Sequence, residues 1–148
     1  MISPTYPNLP PIRFASAATA TYNSVDLKVD QVVIDSNNTI TDRHDPTAAS
    51  GMTYAVITDR YAKVTINPEA ALVATNDHYG QFINNTESDL TIEVPVSTGE
   101  LQFTVPMAQI LSISESDRNG IVVDQIELGA NYGVSQLQDL QIDFESSP

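Results

Sequence analysis

His44 and His78 are the two histidines in 148 residues, so acid–base or nucleophilic chemistry would have to start from them. A serine–histidine–acid set needs its base held beside a nucleophile. His44 falls in the polar run Thr41–Gly51, and His78 falls at a break in a helical pattern. Both read as exposed polar residues, and neither as a catalytic base. Asp42, His44 and Asp45 bring together one imidazole and two carboxylates, a usable ligand mix. Their spacing matches no defined metal site, and calcium-loop spacing is absent too. Glu115 and Asp117 precede Asn119-Gly120, where a weak cation site and a solvated turn are the alternatives; the solvated turn is preferred. Asn37-Asn38-Thr39 and Asn84-Asn85-Thr86 match the glycosylation acceptor pattern, which matters only in a chain secreted by a eukaryote. The six glycines are scattered at turns, so no phosphate-cradling loop exists. Carboxylates are plentiful, but nothing singles out a pair for glycoside chemistry. The sequence therefore nominates no catalytic residue, no cofactor or cofactor-binding residue and no metal ligand, and it reads as a non-enzyme.

Composition narrows the class further. Cysteine is absent, which removes disulfides and thiolate zinc sites and fits an intracellular protein. No apolar run approaches the ~20 residues that span a bilayer. Met1-Ile2-Ser3-Pro4 lacks the basic region and apolar core of a signal peptide. Six Lys+Arg against 19 Asp+Glu leave a net charge of −13. Affinity for phosphates comes from clustered Lys and Arg, so this chain is a poor nucleic-acid binder and should avoid anionic membranes. Simple solubility accounts for such a charge; so does a surface that must not stick to DNA passing near it.

The elements that would carry these residues are mostly strands. Asp89–Val96 places Leu90, Ile92, Val94 and Val96 at every second position, and Leu101, Phe103 and Val105 repeat the pattern after Ser97-Thr98-Gly99-Glu100. A third run covers Gln109–Ser114. Asn119-Gly120 then marks a tight hairpin, because a type I′ turn needs positive φ at both central residues, and Ile121–Leu128 follows. Four consecutive antiparallel strands are thus expected from Asp89 to Leu128. Val25–Ile34 reads as a strand, Asp35–Asn38 as a turn, Ile40 as the start of a short return, and Thr41–Gly51 as the longest internal loop. Thr53–Ile66 reads as one long strand with neither face uniformly apolar, which fits a sheet partly covered on both sides. Asn67-Pro68-Glu69 predicts a helix start, with a cap, a proline at the first position and an acid in the first turn. That helix is expected to run through Ala70–Ala74, break near Asn76, and resume with Tyr79, Phe82 and Ile83 on one face. Leu140, Ile142 and Phe144 predict a last strand.

Residues 1–20 read as an extended Pro-rich N-terminal arm, with Pro4, Pro7, Pro10 and Pro11 opposing helix and central strand. Tyr6, Leu9, Ile12 and Phe14 want a surface. The arm is either a leader without a role or a segment that packs along a neighbouring subunit. Residues 21–148 form a single domain. The expected fold is mainly β: an antiparallel β-sandwich or barrel of about seven to eight strands with one flanking helix.

Taken in order, these pieces resemble the tail-tube (major tail) subunits of long-tailed bacteriophages from Val25 to Phe144. The cues are Thr58-Asp59-Arg60, then Val64–Pro68 leading toward a helix, the Leu90–Val96 strand, Phe103-Thr104-Val105-Pro106, Ser116–Gly120, and a closing strand with acidic residues. Gln136-Leu137-Gln138-Asp139 departs from the pattern, because a dense acidic run belongs there. The chain is also short if its relatives carry a second tube domain. The resemblance implies a virion structural protein, made in the host cytoplasm and carried in the tail. Its partners would be itself, in homo-oligomeric rings stacked as a tube, and other tail proteins. DNA would pass without specific binding, and no membrane would be involved. Thr41–Gly51 and the arm would supply ring-to-ring contacts. Two other readings use similar strands: an Ig-like binding or adhesion module of a virion or cell surface, and an enzyme on a jelly-roll scaffold.

Overall fold

Alternating apolar residues build the core, and the longest alternation sits at its centre. The computed structural model describes residues 18–96, 99–133 and 138–146. Strands β1 (Thr19–Tyr22), β2 (Val25–Asp26), β3 (Val29–Asp35), β6 (Lys63–Pro68), β7 (Glu87–Val96), β8 (Gly99–Arg118), β9 (Ile121–Ala130) and β10 (Gln141–Ser146) form one antiparallel sheet. Its order is β2-β1-β7-β8-β9-β6-β3, with β10 paired to the first part of β8. β2 and β3 stand at opposite ends of that order, yet only Leu27 and Lys28 separate them in the chain. The sheet must therefore roll until its ends approach; at that junction Leu27 N–H still donates to the Ala20 carbonyl at 2.8 Å, continuing the β1–β2 ladder, and the Lys28 carbonyl accepts from Glu69 N–H at 3.0 Å beside β6. Rolling turns one face inward, where Tyr22, Val64, Ile66, Leu90, Ile92, Val105, Ile110, Ile126 and Leu128 are fully buried. Each such side chain contributes about 1.5–3 kcal/mol of transfer free energy.

β8 corrects the expected strand count in this region. The runs around Leu101–Val105 and Gln109–Ser114 form one strand of 20 residues. Leu90 pairs with Val105 and Ser88 with Ala108, so Pro106 and Met107 together oppose Asp89. A bulge places Pro106 where no ladder N–H is needed, and the strand bends there instead of ending. Beyond the bend β9 replaces β10 along the same edge. Asn119 (φ 55°) and Gly120 (φ 86°) make the tight turn their types predict.

One further expectation is overturned and two are corrected in their bounds. Asn67-Pro68 does not open a helix. Pro68 ends β6 opposite Val29, and the Asn67 Oδ1 accepts from the N–H groups of Asp30 and Gln31 at 3.0 and 2.8 Å. These two donors lie where the β3–β6 register shifts, so the capping side chain serves a bulge. The helix that forms is the resumed part alone, α1 (His78–Ile83), capped by Asp77, whose Oδ1 accepts from Gly80 N–H at 2.8 Å. Gly80 is required there, since a Cβ would stand 2.1 Å from Asp77 Oδ2. The run Thr41–Gly51 begins as strand: Thr41–His44 belong to β4 (Asn38–His44), which pairs with β5 (Met52–Arg60), and the loop is shorter than expected, the turn Asp45–Gly51. The long strand expected over Thr53–Ile66 divides at Tyr61-Ala62, where the chain passes from β5 into the barrel. Buried Ala62 there accepts from Ala130 N–H at 2.9 Å. The arm expected over residues 1–20 lies outside the described residues up to 17; Thr19 and Ala20 belong to β1, and Ala20 is buried.

Candidate assembly interface

The β4–β5 ribbon is the feature that a domain on its own least needs. Its two strands pair with each other and with no other strand among the described residues, and every residue of both is exposed. Two strands alone are marginal in water. Ile40 pairs with Ile57, and they stand 65% and 55% exposed. Met52, Tyr54 and Val56 are exposed as well. The ribbon is stiffened at its tip by Asp45, which accepts from Thr47 N–H and from the Thr47 and Thr53 hydroxyls. The Thr47 hydroxyl, then the Thr47 amide, then the Thr53 hydroxyl hold the Asp45 carboxyl below its usual range. Arg43 stacks over Tyr54 at 5.4 Å and donates to its hydroxyl.

At the ribbon's base Arg60 pairs with Asp139 through two nitrogens, Nε at 2.9 Å and Nη2. Partial burial pushes the Asp139 carboxyl up, but Arg60 and the Leu140 amide outweigh it and hold it below the usual range. Lys63–Glu127 and Arg118–Glu69 are two further pairs. So three of the five described cations are matched to carboxylates, while 18 carboxylates lie among the described side chains.

Part of the excess acid collects on one face. Thr19, Glu93, Gln102 and Asp143 form a row across β1, β7, β8 and β10. Glu93 accepts from the Thr19 hydroxyl and from Gln102 Nε2, both at 3.0 Å, and Gln141 Nε2 donates to Asp143 at 2.7 Å. The neighbouring rows are Thr21–Thr91–Thr104–Gln141 and Pro95–Glu100. Period two sets all of these away from the core. β1, β7, β10 and the Gly99–Val105 part of β8 carry no Lys or Arg, so this outer face is hydrophilic and negative only.

The residues weighed for chemistry are spread apart. His44 ends β4 on the exposed ribbon, opposite Met52. His78 is not exposed, contrary to expectation: it is 3% exposed, with Nδ1 3.3 Å from Asp124 Oδ2 and its ring beside Tyr22. Its Nε2 is buried with no partner among the described residues. Burial pushes the Tyr22 phenol up to about 12, and it donates to the Ala108 carbonyl at 3.5 Å. His78 therefore belongs to the packing of α1 on the barrel. Among the described residues no three of His, Asp and Glu gather as metal ligands. Asp45 serves its turn, Asp117 accepts from Gly120 N–H at 3.2 Å, and Glu115 accepts from the Tyr79 hydroxyl at 3.4 Å. Asn37 and Asn85 hold positive φ, and Asn84 caps α1. Reasoning from sequence read Thr53–Arg60 as extended and Ile40 as the start of a short return, but did not pair the two into a ribbon.

The rolled sheet is similar to several solved structures. One is the anti-feeding prophage cap, the AFP tube terminating cap, at TM-score 0.61 and 17% identity over 98% of this chain and 96% of that one. Another is a chain of the sheath/tube terminator of the extracellular contractile injection system PVC, at TM-score 0.63 and 14% identity over 92% and 97%. A third is a chain of the PVC sheath–tube complex, at TM-score 0.60 and 14% identity over 95% and 93%. At such identities the likeness is one of fold, and it is tail-tube-like; these neighbours come from contractile injection systems. No protein-family model and no curated protein matches the chain.

Proposed function

We propose that this chain is a non-enzymatic structural subunit of a phage-like tail, which self-assembles into stacked rings that form a tube and a conduit for DNA. The observation that carries the reading is the β4–β5 ribbon, with Ile40 and Ile57 in water on a hairpin that pairs with no other strand among the described residues. Such a ribbon gains its apolar contacts only from a neighbouring copy, and stacked rings supply one. Fold likeness to tube and terminator proteins supports the same reading. The subunit would be made in the host cytoplasm, join other tail proteins, and reside in the virion tail, with the face of Glu93, Glu100 and Asp143 toward the passing DNA. Carboxylates there repel phosphate, so DNA slides without specific binding.

Electron microscopy and sedimentation of the concentrated protein test this. Rings or stacked rings one domain thick are the expected result. A monomer at every concentration and salt overturns it and favours an Ig-like binding module of a virion or cell surface.

A further inference from the structure

Resting on the assembly reading above, we propose that the ribbon of one copy docks on the open mouth of a second copy's barrel, where β4 adds to the free edge of β10 and Ile40 and Ile57 cover the cavity behind it. Between β3 and β10 the rolled sheet stays open: among the described residues β3 pairs with β6 alone and β10 with β8 alone. The opening leads to an apolar cavity of about 470 Å3 lined by Val32, Ile34, Val94, Phe103 and Ile142. On the β10 rim Ile142 and Phe144 stand 49% and 78% exposed, although their partners Phe103 and Leu101 pack on the core. An open strand edge beside an apolar hollow takes an added strand: the backbone groups pair along the edge, and alternate side chains fill the hollow.

Register and charge select the occupant. In the ribbon Ile40 pairs with Ile57 and Arg43 with Tyr54. Period two sets the two isoleucines on one face and Arg43 on the other. In β10 the same alternation sets Ile142 and Phe144 inward and Asp143 outward, in a row with Gln102 and Glu93 that holds no cation. A ribbon laid along β10 with its isoleucines inward therefore presents Arg43 on the outward face, beside Asp143. Arg43 has no carboxylate partner among the described residues, so it carries the charge that this face lacks. A chain's own ribbon does not fill its own mouth. It leaves β3 through Ser36-Asn37 and is tied by Arg60 to Asp139, and in that position Ile40 and Ile57 remain in water. The occupant is thus the ribbon of a second copy. Ribbon and mouth are different surfaces, so each copy gives one and takes one, a head-to-tail contact that yields a ring when its rotation closes.

The absence of cysteine makes the test clean. Full chains carrying Ile40→Cys and full chains carrying Ile142→Cys are mixed where the parent protein sediments as rings, then treated with a short bismaleimide. A cross-linked pair of one chain of each kind is the expected product, in clear excess over Ile40→Cys mixed with Ile121→Cys, whose thiol lies opposite the last residue of β8. Rings without that excess overturn the docking and leave the ring reading standing; a parent protein that stays monomeric overturns both. A chain bearing both Ile40→Cys and Ile142→Cys that links to itself as a monomer also overturns the proposal, because the ribbon then folds onto its own mouth. In a second measurement, Arg43→Glu should raise the concentration needed for assembly by about threefold or more, and adding Asp143→Arg should restore it. An unchanged threshold, or no recovery on swapping the charges, overturns the pairing that selects this occupant.

Discussion

Removing Asp124 should harm the fold more than its one contact with His78 implies. His78 opens α1 with its side chain buried and one ring nitrogen already lacking a partner among the described residues, so losing Asp124 would strand the second. A buried donor left without an acceptor costs about 1–3 kcal/mol, and the penalty is not shared with water. Asp124→Ala is therefore expected to lower the urea midpoint with an unchanged slope, while Asp124→Asn, which keeps an acceptor oxygen, should lose less. Equal midpoints for Asp124→Ala and the parent would show that the pair contributes nothing. Nothing near His78 in sequence announces its burial. Asn76-Asp77-His78 is a polar run, and the acceptor lies 46 residues away in β9. A pair at that separation becomes visible only once the sheet has brought Asp124 of β9 beside the start of α1.

Elements were legible where local chemistry had one use, and misread where it had two. Asn119-Gly120 serves a hairpin turn and nothing else, and alternation in Leu90–Val96 and Leu140–Phe144 places those strands without ambiguity. Asn67 is a good helix cap because its side chain accepts from exposed N–H groups, and a strand bulge presents the same groups. Pro106 ends a strand unless a bulge removes the demand for its N–H, and pairing 17 residues distant decides that. The ribbon was half read: Thr53–Arg60 was extended as expected, but its partner, Asn38–His44, is too polar to declare itself as a strand. If the ribbon serves assembly, Ile40→Ser with Ile57→Ser should separate folding from association. Both side chains are already in water, so Tm should move by no more than about 2 °C. Rings or higher species in sedimentation should disappear. A large fall in Tm would show instead that the ribbon packs on its own barrel.

At the scale of the molecule, the charge of −13 was plain from composition, but its distribution was not. The cations are not spread evenly: Arg60, Lys63 and Arg118 are each matched to a carboxylate, while the outer face of β1, β7, β10 and the Gly99–Val105 part of β8 has none. Like charges gathered on a flat sheet repel one another, so the arrangement opposes folding slightly and calls for a reason outside the fold. In the proposed tube, a face turned toward the passing polyanion would give one, and it would fix the subunit's orientation in a ring. Gln102 sits in the middle of that face between Glu93 and Asp143, which makes it the position to probe. With Gln102→Cys as the sole thiol, a small maleimide should label free subunit and assembly alike, because a lumen admits small molecules. A polymer-linked maleimide should label the free subunit readily and the assembly far more slowly. Equal rates for the polymer reagent would place this face on the outside, and the carboxylates would then serve solubility alone.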